Sequence, residues 1–127
     1  MNQHRLAETK ARFLADGAPV RLGGLAANLA RVASFSSRGA PPESIFSLLQ
    51  ESKYFIEWTA REVPLETQTR LLELQRQLVR WTARWSLIAG QPGELQELAG
   101  IAREWADRLL KLSGLLDANA GPTTVST

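Results

Sequence analysis

The most constraining feature of the sequence is a helical stripe between Leu71 and Ile88. Its large apolar residues recur at alternating steps of three and four: Leu71, Leu74, Leu78, Trp81, Trp85 and Ile88. This spacing places them on one face of an α-helix. The next segment repeats the pattern with Leu95, Leu98, Ala102, Trp105, Leu109, Leu112 and Leu116. Because Gly90, Pro92 and Gly93 separate the two segments, they are predicted to form an antiparallel helical hairpin.

Two further amphipathic segments precede this hairpin. Residues 20–37 carry one apolar stripe, formed by Leu22, Leu25, Leu29, Val32 and Phe35. Residues 42–63 carry a broader one, formed by Ile45, Leu48, Leu49, Phe55, Ile56 and Val63. Prolines limit the length of each helix, at Pro19, Pro41, Pro64 and Pro92. The pattern predicts an all-α fold, an antiparallel up-and-down four-helix bundle.

Two hydroxyl residues interrupt the stripe of the second of these helices. Ser52 and Thr59 stand at positions that face the core. In a helix, such hydroxyls commonly donate to the carbonyl one turn earlier. We expect both to do so.

The chain length of 127 residues is typical of a single domain. We expect residues 1–18 to form a leading segment, either a short helix or mobile, and residues 19–117 to form the bundle. Residues 118–127 are small, polar and aperiodic, so we expect a disordered tail.

The residues that usually carry catalysis are scarce. The chain has no cysteine, and its one histidine, His4, lies in the leading segment, which leaves no thiolate or histidine chemistry. Glu94 with Glu97, and Glu62 with Glu66, have helical spacing but lie near helix ends, where the helix dipole favours carboxylates anyway. No glycine-rich phosphate loop or nucleophile motif occurs. The sequence therefore predicts a non-enzymatic protein with no metal and no cofactor.

Hydropathy indicates a cytoplasmic protein that does not enter the membrane. The first ten residues are polar and lack the apolar core of a signal peptide. No apolar run approaches the roughly 18 residues that a membrane span requires.

Aromatic residues on the second bundle helix are the first candidate for a partner surface. Phe46, Tyr54 and Trp58 flank its apolar stripe and can form an outward shoulder. Aromatic and arginine side chains are enriched in interface hot spots. We expect a protein partner or self-association, for example as a homodimer, through this shoulder. The alternative is that these rings pack against the leading helix or its loops.

A row of arginines on the third bundle helix supports a second candidate. Arg76, Arg80 and Arg84 recur every four residues, away from the apolar stripe, and such a row can bind phosphates of RNA or DNA. Twelve of the fifteen basic residues are arginine, which a GC-rich genome would also produce. Glu73 stands three residues before Arg76, so only Arg80 and Arg84 lack a nearby acidic residue on their own helix. Nucleic-acid binding is therefore the alternative function, behind a protein-interaction or regulatory role.

Three stretches resemble a family of small uncharacterised helical proteins of cyanobacteria. They are residues 22–35 (LGGLAANLARVASF), 51–60 (ESKYFIEWTA) and 112–116 (LSGLL). The resemblance implies a cytosolic all-helical protein from a cyanobacterium and implies no activity. The sequence also leaves open whether a small hydrophobic ligand occupies the bundle.

Overall fold

The computed structural model describes residues 3–115, and these residues form helices and no strand. The helices are α1 (Gln3–Leu14), α2 (Ala18–Ser37), α3 (Pro42–Thr59), α4 (Leu65–Ala83), α5 (Trp85–Ala89) and α6 (Pro92–Ser113). A 3-10 turn at Ala60–Glu62 follows α3. The all-α prediction is confirmed, whereas the expected tail at 118–127 lies outside the described residues.

Proline and glycine set several of the helix boundaries. Pro19, Pro42 and Pro92 stand in the first turns of α2, α3 and α6, where the missing N–H removes no intrahelical hydrogen bond. Gly114 follows α6 with φ of 76°, a left-handed conformation that ends a helix and that glycine adopts without strain.

The third predicted helix is interrupted. Arg84 has φ of −107° and ψ of 17°, so α4 ends before it and α5 begins after it. A strict three-four stripe drifts around the axis of a straight helix, and a non-helical residue can realign it. Ile88 remains buried beyond the break, and the half-buried Trp85 ring lies 6.1 Å from the ring of Phe46.

The second predicted helix also ends earlier than expected. Helix α3 stops at Thr59, and the chain then tightens into the 3-10 turn instead of continuing to Val63. Val63 adopts an extended conformation, with φ of −123° and ψ of 158°. The following Pro64 accounts for this, because proline disfavours the helical region for the residue before it.

Small residues allow α2 and α6 to pack closely. Each helix buries alanines in the core, Ala26 and Ala33 on α2 and Ala99, Ala102 and Ala106 on α6. A Cβ added at Gly23 would lie 2.7 Å from Leu115 Cδ1, so glycine leaves room for the chain just after α6. Helix α2 also packs against α3, α3 against α4, and α5 against α6.

The leading helix α1 packs on α3 through Phe13. The buried Phe13 ring stacks on Phe55 with 4.1 Å between centroids and lies 5.8 Å from the Trp58 ring. Edge and offset contacts of this kind stabilise aromatic clusters beyond their buried area. Helix α1 therefore covers part of α3.

A buried arginine joins the ends of α1 and α3. Arg21 Nε donates to the carbonyl oxygen of Asp16 at 2.8 Å, and its two terminal nitrogens donate to the carbonyls of Leu14 and Trp58 at 3.3 Å. It also donates to Glu62 Oε2. Carbonyls at helix C-termini carry partial negative charge and lack intrahelical partners, so one guanidinium satisfies groups from both helices.

Candidate functional site

An open groove with a volume of about 580 Å³ is bordered by α1, α2 and α3. We call it the α3 groove, because most of its wall belongs to that helix. Its lining residues are Arg5, Arg31, Phe35, Ser44, Phe46, Ser47, Leu48, Gln50, Glu51 and Tyr54. This volume falls within the range of pockets that accept small molecules or a few side chains.

Two of the three predicted aromatic residues line this groove. Phe46 and Tyr54 are both half-buried. The Phe46 ring contacts the Trp85 ring with 6.1 Å between centroids, and Tyr54 stacks on Trp58 with 5.6 Å between centroids. Rings held in this way offer apolar area to a partner at low cost in conformational entropy.

Trp58 occupies a different position from the other two. Its ring contacts Phe13 and Phe55 at 5.8 and 6.0 Å, and Lys10 Nζ of α1 lies 5.9 Å from it. Trp58 does not line the α3 groove. These contacts match the alternative interpretation, in which the aromatic rings pack against the leading helix. Trp58 also stacks on Tyr54.

A polar network forms one side of the groove. The Asn28 side chain is fully buried at 0% exposure. Its Nδ2 donates to Glu51 Oε1 at 3.0 Å, and its Oδ1 accepts from Arg31. The amide thereby holds a carboxylate and a guanidinium that both line the groove. A buried amide needs such partners, because leaving it unpaired costs about 1–3 kcal/mol.

The charges along the groove are two guanidiniums and one carboxylate, from Arg5, Arg31 and Glu51. Three rings and Leu48 supply the apolar part. The combination suits a ligand with an apolar or aromatic group next to a negative charge.

The predicted arginine row lies on exposed parts of α4 and at its end. Arg76, Arg80 and Arg84 are all exposed. Arg80 and Arg84 line a second cavity of about 190 Å³, together with Glu94 and Glu97 of α6. The sequence shows no acidic residue near them on α4, but the fold supplies two from another helix. These carboxylates reduce the positive potential that a phosphate would meet.

Sequence reasoning missed an apolar face on α4. Leu65, Leu72 and Val79 are exposed at 76%, 54% and 48%. They recur every seven residues, opposite the buried stripe of the same helix. The seven-residue spacing is visible in the sequence, but its three residues give a weaker signal than the longer three-four stripe on the opposite side of the same helix.

Within residues 3–115, no group of three or more histidine, cysteine, aspartate or glutamate side chains is arranged to hold a metal ion. The carboxylates singled out in the sequence also have other surroundings. Glu62 bonds to Arg21, and Glu94 and Glu97 line the cavity that contains Arg80 and Arg84.

No helix of the described part of the chain is both long enough and apolar enough to cross a membrane.

Comparison of the chain with protein-family models, with curated proteins and with solved structures gave no match.

Proposed function

We propose that this protein is a non-enzymatic interaction module that binds a partner protein through the α3 groove. The observation that carries the proposal is the placement of Phe46 and Tyr54 beside Arg31 in one open cavity. The partner is a protein segment with an apolar or aromatic anchor next to an acidic residue. The anchor would enter between the two rings, and the acid would pair with the guanidinium.

The proposed architecture for this module is an antiparallel up-and-down four-helix bundle, with α4 and α5 together as its third member. Contacts at opposite helix ends support it. Arg21, near the start of α2, bonds to Trp58 O at the end of α3, whereas Phe35 and Phe46 share the groove at the other end of that pair. Gly23 lies against Leu115, whereas Ser37 and Gln96 line one shallow cavity.

A cytoplasmic location and a cyanobacterial source accompany this proposal. The resemblance of residues 22–35, 51–60 and 112–116 to a family of cytosolic cyanobacterial proteins supports both.

The test is affinity capture from lysate of the source cells with matched bait proteins. The baits are the unmodified chain, the groove variant Phe46→Ser/Tyr54→Ser and the control Leu87→Ser. Leu87 is 48% exposed on α5 and does not line the groove. We expect the unmodified chain and the Leu87 variant to retain the same protein, and the groove variant to lose it.

Nuclease and salt separate this proposal from the alternative. Retention through the groove should survive nuclease, and it should weaken only modestly with salt because it involves a single ion pair. Material that disappears on nuclease treatment, and is lost with Arg80→Gln/Arg84→Gln but not with the groove variant, would instead favour nucleic-acid binding. A retained small molecule that is lost with the groove variant would favour a ligand site over a protein partner.

A further inference from the structure

Helix α4 has two apolar faces. The buried face consists of Leu71, Leu74, Leu78 and Trp81. The outer face consists of Leu65, Leu72 and Val79. At 3.6 residues per turn, the outer residues lie within about 40° of one another on the helix and roughly opposite the centre of the buried set. They span about 21 Å of helix length.

We propose that this outer face, which we call the α4 outer face, binds a second copy of the same chain in an antiparallel helix pair. Paired helices bury apolar residues that recur in each seven-residue repeat, usually at two positions. The outer face supplies one of these positions, and Thr69, Arg76 and Ala83 lie next to it. The occupant is identified by the charges beside the repeat. Glu66, Glu73 and Arg80 form a row along one flank of the outer face, and they also recur every seven residues.

The charge row is complementary to itself only when the two helices run in opposite directions. A two-fold axis near Leu72 places Leu65 of one copy near Val79 of the other. The same axis brings Glu66 of each copy near Arg80 of the second copy. The Arg80 side chain borders the cavity that contains Glu94 and Glu97 but remains exposed, so two equivalent ion pairs can form across the axis. Glu73 lies near the axis, but its carboxylate already accepts from Arg70 Nη1 at 2.6 Å, so its charge is compensated within each chain.

A parallel pair does not have this complementarity. In that arrangement the charged row would meet the opposite flank of the second helix, which carries Gln68, Gln75 and Thr82. Those side chains are already half-buried toward the chain's own core, where Gln75 Nε2 donates to Lys53 O at 3.3 Å. The charges on α4 therefore specify an antiparallel pair.

This interface is separate from the α3 groove, which is lined by residues of α1, α2 and α3. A dimer formed through α4 would leave a groove on each copy. The inference does not depend on the proposed function, and either can fail without the other.

The experiment is sedimentation equilibrium of the full chain over a range of concentrations. We expect the unmodified chain to form a dimer, and Leu72→Gln to weaken dimerisation about tenfold or more, because Leu72 contributes twice at the axis. Leu87→Gln, at a similarly exposed apolar position on α5, should leave the dimer unchanged. Circular dichroism checks that each variant remains helical.

Charge reversal tests the direction of pairing. Glu66→Arg and Arg80→Glu should each weaken the dimer, and the double variant Glu66→Arg/Arg80→Glu should restore it. An unmodified chain that remains monomeric at high concentration would overturn the proposal. So would a dimer that is lost with Phe46→Ser but not with Leu72→Gln, or a double variant that is no better than either single one.

Discussion

Arg21 and Glu62 form an ion pair in which the arginine side chain is buried and the glutamate side chain is exposed. The Arg21 side chain is 7% exposed, whereas the Glu62 side chain is 54% exposed. The guanidinium therefore depends on its neighbours, while the carboxylate retains access to water. Three backbone carbonyls share the remaining donors of Arg21, so the pair is one part of a larger junction.

The first prediction concerns this junction. Arg21→Lys keeps the charge but loses the fork of donors, because a lysine ammonium cannot reach carbonyls that lie in several directions. We expect the free energy of unfolding to fall by about 2 kcal/mol, the sum of two or three ordinary hydrogen bonds. Urea denaturation followed by circular dichroism measures this. Arg61→Lys, at an exposed position in the neighbouring 3-10 turn, is the matched control, and an equal loss in both variants would contradict the prediction.

The second prediction concerns the two hydroxyl residues of α3. Thr59 is 1% exposed and its Oγ1 has no hydrogen-bond partner. Thr59→Val keeps the shape and removes the unpaired hydroxyl, so we expect stability to rise by about 1 kcal/mol. Ser52 Oγ donates to Leu48 O at 2.7 Å, so Ser52→Ala should not stabilise the chain. Thermal unfolding of the two variants in parallel decides the point, and a destabilised Thr59→Val would show that the hydroxyl is satisfied in solution.

The third prediction compares two helical glycines. Gly100 is exposed in the middle of α6, and an added Cβ would meet nothing within 4 Å. Gly100→Ala should therefore raise the free energy of unfolding by about 0.5–1 kcal/mol through helix propensity alone. Gly23→Ala has the same intrinsic gain, but its Cβ would lie 2.7 Å from Leu115 Cδ1. We expect a smaller gain or a net loss there, measured by denaturant midpoint. Equal gains at both positions would mean that Leu115 moves away from the added methyl group without lowering the free energy of unfolding.

The fourth prediction concerns the arginine row. Arg80 and Arg84 share a cavity with Glu94 and Glu97, and these charges offset one another. We expect the unmodified chain to bind a labelled oligouridylate negligibly at about 150 mM salt. Glu94→Gln/Glu97→Gln should increase binding, because it leaves the guanidiniums uncompensated. Fluorescence anisotropy provides the measurement. Tight binding by the unmodified chain that falls on Arg80→Gln/Arg84→Gln would favour the nucleic-acid function.

The fold class was predictable because local periodicity determines it. The stripes from Leu71 and from Leu95 each place most of their members in the core, and the prolines mark helix starts. The interruption at Arg84 was not predictable in the same way, since the stripe continues through it in sequence. Only the backbone conformation of Arg84, with φ of −107°, shows where the helix breaks.

The candidate site was predictable only in part, because it is built from side chains distant in sequence. Phe46 and Tyr54 stood out by composition, but Arg5, Asn28 and Arg31 join them only through the packing of α1 and α2 on α3. Likewise, Thr59 and Ser52 look alike in sequence, yet only Ser52 bonds to the preceding turn. Such differences depend on the local geometry of each hydroxyl and the preceding helical turn, which the residue pattern does not specify.

The docking of α1 has a consequence for how the groove responds to an occupant. Arg5 on α1 is part of the groove wall, and Phe13 holds the same helix against α3. If α1 detaches, that wall is lost, so binding and docking are thermodynamically linked. An occupant that contacts Arg5 must slow amide hydrogen exchange along α1 by the same free energy with which docked α1 strengthens its binding. The leading helix thus reports occupancy of a site to which it contributes a single side chain.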